Sequence, residues 1–300
     1  MQIKLIVTGM HRSGTTWLGQ LVSRVQQYAV IHEPFNYELG LKGVPAWYLD
    51  PRDTAHEAYL MNSLEQLASG RGKFQTRFRR DRPLRYLASL LVGTGAARIY
   101  QAATRSENEA LAIKDPFLIR MAPRLAANGY KVLVSVRHPL AILRSLKRMD
   151  WPLIVPGIND KSPFAPVGLE EEMAKVCSMW CELYGPILEY LERQGQDNVF
   201  IADHSTIFHD VERFGTALVN FLELDGEQTD LKRFLADTTS GSTVMPDHSK
   251  LHEFSRDSRK LAEAWRLEYS SKQLSQVENL LGSKLARLGD ASHSSIVMNS

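Results

Sequence analysis

The segment VTGMHRSGTTWLGQLV near the start of the chain is a glycine-rich loop of the kind that binds phosphate. In the nucleotide-binding signature G-x-x-x-x-G-K-[ST], the lysine reaches the terminal phosphates and the Ser or Thr hydroxyl holds magnesium. Gly9 and Gly14 stand at the required separation, and Thr16 supplies the hydroxyl. Thr15, however, occupies the lysine position, and the nearest cation is Arg12. The loop therefore predicts an anion site in which the positive charge comes from Arg12 and not from the usual lysine position.

The anion can still be bound without the lysine. Backbone N–H groups from Ser13 to Trp17 can bind it with the help of the helix dipole. Nucleoside triphosphate chemistry needs more, because it uses the lysine and a magnesium ion held by Ser/Thr and a strand-end Asp. The apolar run VLVSV ends in Arg137, which is a poor magnesium ligand and a good phosphate ligand. Ser145 follows eight residues later, and we expect both residues to bind a second phosphate, distinct from the one in the loop.

Two separated anionic groups and no evident metal ligand indicate 3'-phosphoadenosine-5'-phosphosulfate (PAPS) as the ligand. Its sulfuryl group carries less charge than a terminal phosphoryl group, so an arginine can suffice where kinases need magnesium. We therefore expect a PAPS site with no metal.

Two motifs resemble the donor site of the sulfotransferases. HRSGTTW resembles their 5'-phosphosulfate loop, and VRHPLAILRS is similar to their 3'-phosphate site, an Arg followed eight residues later by a Ser. IKDPF and KVLVSVRHP resemble the tyrosylprotein sulfotransferases, and IHEPF resembles both those enzymes and the Golgi carbohydrate sulfotransferases. On these motifs the chain is identified as a member of the PAPS-dependent sulfotransferase family, of a soluble bacterial type. The resemblance covers roughly residues 3–35, 111–149 and 250–289.

The resemblance implies the catalytic residues. It makes Glu33 the base that takes the proton of the acceptor, and it makes Lys114 the group that neutralises charge on the bridging oxygen as the donor bond breaks. It gives Arg12 the contact with the sulfuryl group or the 5'-phosphate. Glu33 lies twenty-one residues beyond Arg12, close to the separation in the Golgi enzymes. It also precedes a proline at a strand end, where α/β ligand sites open.

Two alternatives remain open near these residues. His32 is the competing base, because histidine titrates closer to neutral pH. Strand alternation is expected to send His32 and Glu33 to opposite sides, so that only one of them faces the donor; we favour Glu33 and a structural role for His32. For Lys114, the alternative is a salt bridge with Asp115 at the strand end.

The residues expected to bind the donor come from the loop, the second arginine motif and the closing segment. They are Arg12, Ser13, Gly14, Thr15, Thr16, Trp17, Arg137, Ser145, Ser255 and Arg256. For the ring of Trp17, packing in the helix core is favoured over stacking on the adenine.

The elements that must position these residues alternate between strand and helix. Strand-like runs are IKLIVTG, YAVIHEPF, ALAIKDPF, YKVLVSVRHP and DNVFIADHS, and helical spacing recurs between them. This alternation predicts an α/β fold of three layers, with a central parallel sheet between helices and a P-loop NTPase-like sulfotransferase architecture. A chain of 300 residues favours one domain, residues 1–290, followed by a flexible tail, 291–300. Residues 36–110 and 150–250 match no motif and are expected to bind the acceptor.

Composition limits the class of protein. With 44% hydrophobic residues, 23% charged residues and two cysteines, the chain is neither fibrous nor disulfide-rich. No secretory signal and no apolar run of about 20 residues is present, so we expect a soluble, cytoplasmic protein with no transmembrane segment. Segment 71–85 carries seven Lys or Arg and one Asp. A solvated helix face explains it most simply; a rim that attracts an anionic substrate or an anionic membrane surface is the alternative.

Together these observations predict an enzyme. We expect it to move the sulfuryl group from PAPS to an acceptor hydroxyl by metal-independent in-line displacement, releasing 3'-phosphoadenosine-5'-phosphate (PAP). A hydroxyl of a saccharide or glycan is the first expectation, a tyrosine or other phenol the second, and no nucleic-acid partner is expected. The rival interpretation is a small-molecule kinase with a degenerate loop, against which Thr15 and Arg137 count. A non-catalytic nucleotide-binding module would not need Glu33 and Lys114.

Overall fold

A computed structural model describes residues 1–76, 94–156, 168–226, 228–239 and 263–299. Its centre is a sheet of five parallel strands that lies between helices. The strands are β1 (Gln2–Gly9), β2 (Tyr28–His32), β3 (Ala110–Lys114), β4 (Lys131–Val136) and β5 (Val199–Asp203). Each coincides with one of the five apolar runs named above. The predicted three-layer α/β fold with a parallel central sheet is confirmed.

The helices of the described residues flank this sheet. The α-helices are α1 (Thr15–Val22), α2 (Thr54–Ala68), α3 (Gly95–Arg105), α4 (Ala122–Ala127), α5 (Pro139–Arg148), α6 (Leu169–Gln194), α7 (His204–Ile207), α8 (Val211–Phe221), α9 (Thr229–Thr239) and α10 (Ser271–Met298). Two 3-10 helices span Pro116–Met121 and Ala264–Glu268. Across these ranges, no helix combines the length and the apolar character that a membrane crossing requires.

The strands read as unbroken apolar runs because both faces of the sheet are covered. In β1, Ile6 points into one core and Leu5 and Val7 into the other, and all three are fully buried. One core is closed by α5 and α6, and the other by α1, α8 and α9. A sheet buried on both sides leaves only its strand ends for binding, which is the usual place for a site in parallel α/β proteins.

The strand order places the glycine loop at the middle of the sheet. The order is β2-β3-β1-β4-β5, so β1 lies between β3 and β4 and the chain turns to opposite sides from it. In open α/β sheets, ligands bind outside the carboxyl ends of the strands at such a reversal. The loop between β1 and α1 begins at this point, flanked by the ends of β3 and β4.

The last helix corrects the predicted flexible tail. Residues 291–298 continue α10, and Ser292 and Ser295 are buried. The Ser295 hydroxyl accepts a hydrogen bond from the N–H of Ile201 at 3.0 Å, and the Ser292 hydroxyl accepts one from the N–H of Asp203 at 3.2 Å. A serine-rich end is typical of a solvated tail, but here the hydroxyls satisfy backbone groups of β5. The prediction of a tail at 291–300 is therefore wrong for 291–298.

Candidate active site

The glycine loop leaves a set of backbone donors at the start of α1. The N-cap of α1 is Gly14, so no side chain caps the helix, and its first turn has no acidic residue. The first N–H groups of a helix lack intrahelical partners, and here those of Gly14, Thr15 and Thr16 meet no acceptor among the described residues. An uncapped helix start with unpaired N–H groups can bind an anion. This matches what the loop spacing predicted.

Gly14 is required by both conformation and space. Its φ of 109° lies in a region that L side chains rarely adopt, and a Cβ there would lie 2.0 Å from Nε2 of His204. His204 follows β5, so the loop packs directly against the end of another strand. Only glycine lets the loop take this position.

Trp17 does not belong to the donor site. Its ring is buried among Phe208, Phe214 and Phe234, and its indole N–H donates to the Thr238 hydroxyl at 3.3 Å. Its backbone N–H already donates to the carbonyl of Gly14 at 2.9 Å. The expected contact of Trp17 with the donor is therefore wrong, because the ring fills the core between α1, α8 and α9.

The two predicted anion sites are contiguous. Nε of Arg12 donates to the Ser145 hydroxyl at 3.0 Å, and the Arg137 guanidinium donates to the carbonyl of Arg12 at 3.3 Å. The indole N–H of Trp180 donates to the carbonyl of Arg137 at 3.0 Å and fixes the backbone after β4. Arg12 thus joins the glycine loop to the arginine–serine motif, which the sequence alone suggests is a separate site.

These arginines concentrate positive charge. Burial, reinforced by the charges of Arg12, Arg144 and Arg148, lowers the pKa of Arg137 to about 10. Burial and the charge of Arg148 also lower the pKa of Arg12. Within the described ranges, neither Arg12 nor Arg137 forms an ion pair with a carboxylate. A bound anion would offset both the desolvation and the mutual repulsion of these cations.

A carboxylate and an ammonium group face the same loop from the ends of β2 and β3. Nζ of Lys114 lies 2.5 Å from Oε1 of Glu33, and the Asn36 amide donates to Oε2 at 3.1 Å. Burial raises the pKa of Glu33, but the charge and hydrogen bond of Lys114, the hydrogen bond from Asn36 and the charge of His32 together outweigh it and hold the pKa below its ordinary value. Lys114 is buried against α1, where a Cβ on Gly19 would lie 2.7 Å from its Cγ.

Asp115 is fully buried. Its contacts differ from the salt bridge with Lys114 that the sequence offers as the alternative role of Lys114. One carboxylate oxygen accepts the N–H of Phe35 at 2.6 Å, and the other accepts the N–H of Phe117 at 2.9 Å. Burial and the charge of Glu33 raise the pKa of Asp115 to about 7. Asp115 therefore ties the turn after Glu33 to the end of β3, while Lys114 pairs with Glu33.

His32 and Glu33 line the same cleft, which corrects the expectation that they face opposite sides. Strand alternation holds only while the backbone stays extended, and β2 ends at His32. Glu33 has a φ of 49°, in the left-handed region. That turn brings its side chain round to the side on which His32 lies. Because both side chains line the cleft, their orientation does not decide whether Glu33 or His32 is the base.

The cleft between the loop and the ends of β2 and β3 has a volume of about 540 Å³. Its polar lining comprises His11, Arg12, Thr15, Thr16, Gln20, His32, Glu33, Asn36, Glu38 and Lys114. Its apolar lining comprises Leu39, Trp47, Pro116, Phe117, Trp151, Pro152 and Ile154. Trp151 is 42% exposed, with the Arg12 guanidinium 5.0 Å from the centroid of its ring. The cleft brings together Arg12, Glu33 and Lys114, whereas Arg137 and Ser145 contact Arg12 from outside its lining.

His11 is a cleft residue that the sequence reasoning missed. Its only signal was its position directly before the loop arginine in HRSGTTW. The ring is buried, and Nδ1 lies 2.7 Å from the hydroxyl of Tyr48. Burial and the charge of Arg12 lower the pKa of His11 to about 3, so the ring is neutral at physiological pH.

A family model matches nearly the whole chain. The family model described as "Sulfotransferase domain" covers residues 2–289. The chain belongs to the sulfotransferase family. The identification made from the two donor motifs is confirmed, and the degenerate-kinase interpretation is excluded by this membership.

Solved structures resemble this sulfotransferase at low identity. Mouse sulfotransferase SULT7A1 complexed with PAP is 13% identical with a TM-score of 0.51, over 98% of this chain and 90% of that chain. The sulfotransferase domain from the Synechococcus PCC 7002 olefin synthase is 17% identical with a TM-score of 0.44, over 94% of both chains. The sulfotransferase from Alicyclobacillus acidocaldarius is 13% identical with a TM-score of 0.43, over 98% and 96%. No curated protein matches the chain.

Some predicted residues of this sulfotransferase fall outside the described ranges. Ser255 and Arg256 are among them, as are residues 77–85 of the basic segment 71–85. At the start of that segment, Arg71 pairs with Glu65 at 3.3 Å on the exposed end of α2.

Proposed function

We propose that this sulfotransferase moves the sulfuryl group from PAPS to a hydroxyl of a saccharide or glycan, releasing PAP. One observation carries the proposal. Arg12 joins the unpaired N–H groups of the loop to Arg137 and Ser145, and it lines the same cleft as the Glu33–Lys114 pair. Two contiguous anion sites beside a paired carboxylate and ammonium are what a bisphosphate donor and an attacked hydroxyl require.

The residues present fit the donor. The 5'-phosphosulfate would lie against Arg12 and the N–H groups of Gly14, Thr15 and Thr16, with Ser13 closing the turn through its N–H on the carbonyl of Met10 at 2.9 Å. The 3'-phosphate would be held by Arg137 and Ser145, with Ser255 and Arg256 added from the closing segment. That the mouse structure of the same fold is complexed with PAP supports this assignment.

The chemistry is a displacement at sulfur, in which the acceptor oxygen bonds to sulfur while the bond to the phosphate oxygen of PAP breaks. Glu33 takes the acceptor proton, and Lys114 neutralises the oxygen that leaves with PAP. The two roles are coupled by the ion pair. Burial alone raises the pKa of Glu33, and Lys114 contributes most to holding it down. When Lys114 turns its charge to the leaving oxygen, the pKa of Glu33 rises and the carboxylate becomes a stronger base.

The lining of the cleft supports a saccharide acceptor. Trp151 offers a half-exposed ring face on which the C–H groups of a sugar can pack, and Gln20 and Glu38 line the cleft with planar polar groups for hydroxyls. A phenol is the second candidate, because Trp47 and Phe117 also line the cleft and pack 4.9 Å apart between ring centroids. An aromatic acceptor would need to stack there.

The donor half of the proposal is tested by calorimetric titration with PAP in EDTA, with magnesium ATP and magnesium GTP as comparators. We expect tight binding of PAP without metal and weak binding of both triphosphates. Preference for a magnesium nucleotide would contradict the proposal.

The acceptor half is tested by following PAP release from PAPS with a panel of mono- and oligosaccharides beside a panel of phenols and tyrosyl peptides. Turnover confined to the phenols would replace the saccharide with the second candidate.

A further inference from the structure

His11 has a hydrogen-bond partner on one side of its ring. The ring is 6% exposed and lines the cleft beside Arg12 and Glu33. The charge of Arg12 lowers the pKa of His11, and the charge of Glu33 raises it. Nδ1 lies 2.7 Å from the hydroxyl of Tyr48. Nε2, on the far side of the ring, is buried and has no hydrogen-bond partner among the described residues. Leaving a buried polar atom unpaired is unfavourable, so an unpaired Nε2 indicates a partner that is bound there.

Tyr48 decides which nitrogen of His11 carries the hydrogen. Burial raises the pKa of Tyr48 well above its ordinary value, so the hydroxyl keeps its hydrogen. Among the described residues, no other acceptor, side chain or backbone, has a hydrogen bond with the hydroxyl, so we assign the hydroxyl as the donor to Nδ1 of His11. Because the hydroxyl donates to Nδ1 and the ring is neutral, the hydrogen of His11 must lie on Nε2. The unpaired atom is therefore an N–H donor, and its missing partner is an acceptor.

We propose that Nε2–H of His11 donates a hydrogen bond to an oxygen of the sulfuryl group of bound PAPS, with Tyr48 fixing the tautomer. The inference rests on the proposed function and extends it to a residue with no role there. His11 is not a base in this arrangement, because the lone pair on Nδ1 is taken by Tyr48. A neutral imidazole acts instead as a fixed N–H donor that holds the sulfuryl group in place for in-line attack.

The test uses a difference between two ligands that can both be titrated without an acceptor. PAPS carries the sulfuryl group and PAP does not, so a donor to that group affects PAPS alone. We would measure dissociation constants of both ligands by calorimetry for the wild type, H11A, H11Q, Y48F and H56Q. Gln places an amide N–H near the position of Nε2, and His56 lies on α2 outside the cleft lining.

We expect H11A to weaken PAPS binding about 10- to 100-fold and to change PAP binding less than about threefold. H11Q should keep most of the preference, Y48F should lose part of it, and H56Q should match the wild type. Adding Y48F to H11Q should cause no further loss of that preference, because an amide has no tautomer for Tyr48 to fix. If H11A does not fold, as judged by thermal unfolding, H11Q and Y48F decide the matter.

The outcomes separate this inference from the proposed function. Equal effects of H11A on PAPS and PAP, or no effect on either, would overturn the role of His11 while leaving the donor site intact. A wild-type protein that does not bind PAP without metal would overturn the proposed function and this inference with it.

Discussion

Lys114 and Glu33 are joined twice across the ends of neighbouring strands. The side chains meet at 2.5 Å between Nζ and Oε1, and the backbone N–H of Glu33 donates to the carbonyl of Lys114 at 2.7 Å. The parallel register that pairs His32 with Lys114 sets both contacts. Asp115 then fixes the turn beyond Glu33 through the N–H of Phe35. The backbone on both sides of Glu33 is therefore fixed, while the carboxylate and the ammonium group are held to each other by their side chains alone.

Replacing Glu33 by Gln should separate chemistry from donor binding. We expect unchanged PAP affinity and a turnover lower by roughly 10²–10⁴, the usual contribution of a general base. Steady-state kinetics and calorimetry on the same preparation measure both. Glu57→Gln is the matched control, because Glu57 is also ion-paired, with Arg124 at 3.0 Å, but lies outside the cleft lining. Should His32→Ala reproduce the loss while Glu33→Gln does not, the base is His32.

Replacing Arg137 by Ala should weaken donor binding. The expected loss is about 1.5–3 kcal/mol, the value of a hydrogen bond to a charged group, measured as the dissociation constant of PAP. Arg124→Ala removes an arginine of similar charge from a distant ion pair and should have no effect. An unchanged PAP affinity in Arg137→Ala would refute the assignment of two anion sites.

Replacing Trp151 by Ala should act on the acceptor. We expect the KM for a saccharide acceptor to rise about tenfold, because the ring face on which the sugar packs is lost. The cation–π contact with Arg12 is lost as well, and at an exposed ring it is worth only about 0.5–1 kcal/mol. PAP affinity should therefore fall less than about fivefold, and Trp151→Phe should restore most of the KM. A larger effect on PAP than on the acceptor would place Trp151 in the donor site.

Replacing Gly14 by Ala should damage the loop beyond the ordinary cost of a positive φ. Gly129 has a φ of 84° and a Cβ added to it would meet no atom within 4 Å, whereas Gly14 has a φ of 109° and its Cβ would meet His204 at 2.0 Å. Gly129→Ala should cost about 1 kcal/mol of the free energy of unfolding and leave PAP binding intact. Gly14→Ala should cost more and abolish measurable PAP binding. Equal costs in urea unfolding would mean that the loop moves freely away from His204.

The free energy of unfolding should fall as the pH is lowered from about 6.5 to 5. Burial lowers the pKa of His11, His138 and His204 to about 3 each. The unfolded chain therefore binds protons that the folded protein does not, at about 1.4 kcal/mol per pH unit for each histidine. Asp115 and Asp203, whose pKa values burial raises, act in the opposite direction.

The net expectation for that pH range is about one to two protons taken up on unfolding. Urea unfolding at a series of pH values measures the slope. His204→Leu should reduce it by about 1.4 kcal/mol per pH unit, because the slope reports proton uptake and is little affected by the packing change. A slope that is the same in His204→Leu and the wild type would show that His204 is protonated in the folded protein.

The sequence predicted well what depends on neighbouring residues. The glycine spacing, the arginine after β4 and the apolar runs are local patterns; they predicted a loop with free N–H groups at the start of α1 and identified all five strands of the described sheet. Glu33 and Lys114 were named separately, but their contact depends on β2 pairing with β3. That pairing joins residues 81 positions apart, which no local pattern records.

What the sequence missed depends on long-range packing or on single backbone angles. The left-handed φ of Glu33 overrides strand alternation and places His32 on the same cleft. The sequence favours core packing over base stacking for Trp17 but does not show which side chains surround it; these are aromatic residues of α8 and α9. His11 gains a definite tautomer only through Tyr48, which lies 37 residues further along the chain.

The serine hydroxyls on the last turns of α10 have a consequence for association between molecules. Among the described strands, β5 lies at the edge of the sheet, and such a strand presents backbone groups with which a strand of another chain can pair. Ser292 and Ser295 occupy the N–H groups of Asp203 and Ile201. The last turns of α10 thus cover this edge of the sheet. A protein shortened before Ser292 would leave the N–H groups of β5 free to pair with a strand of another molecule.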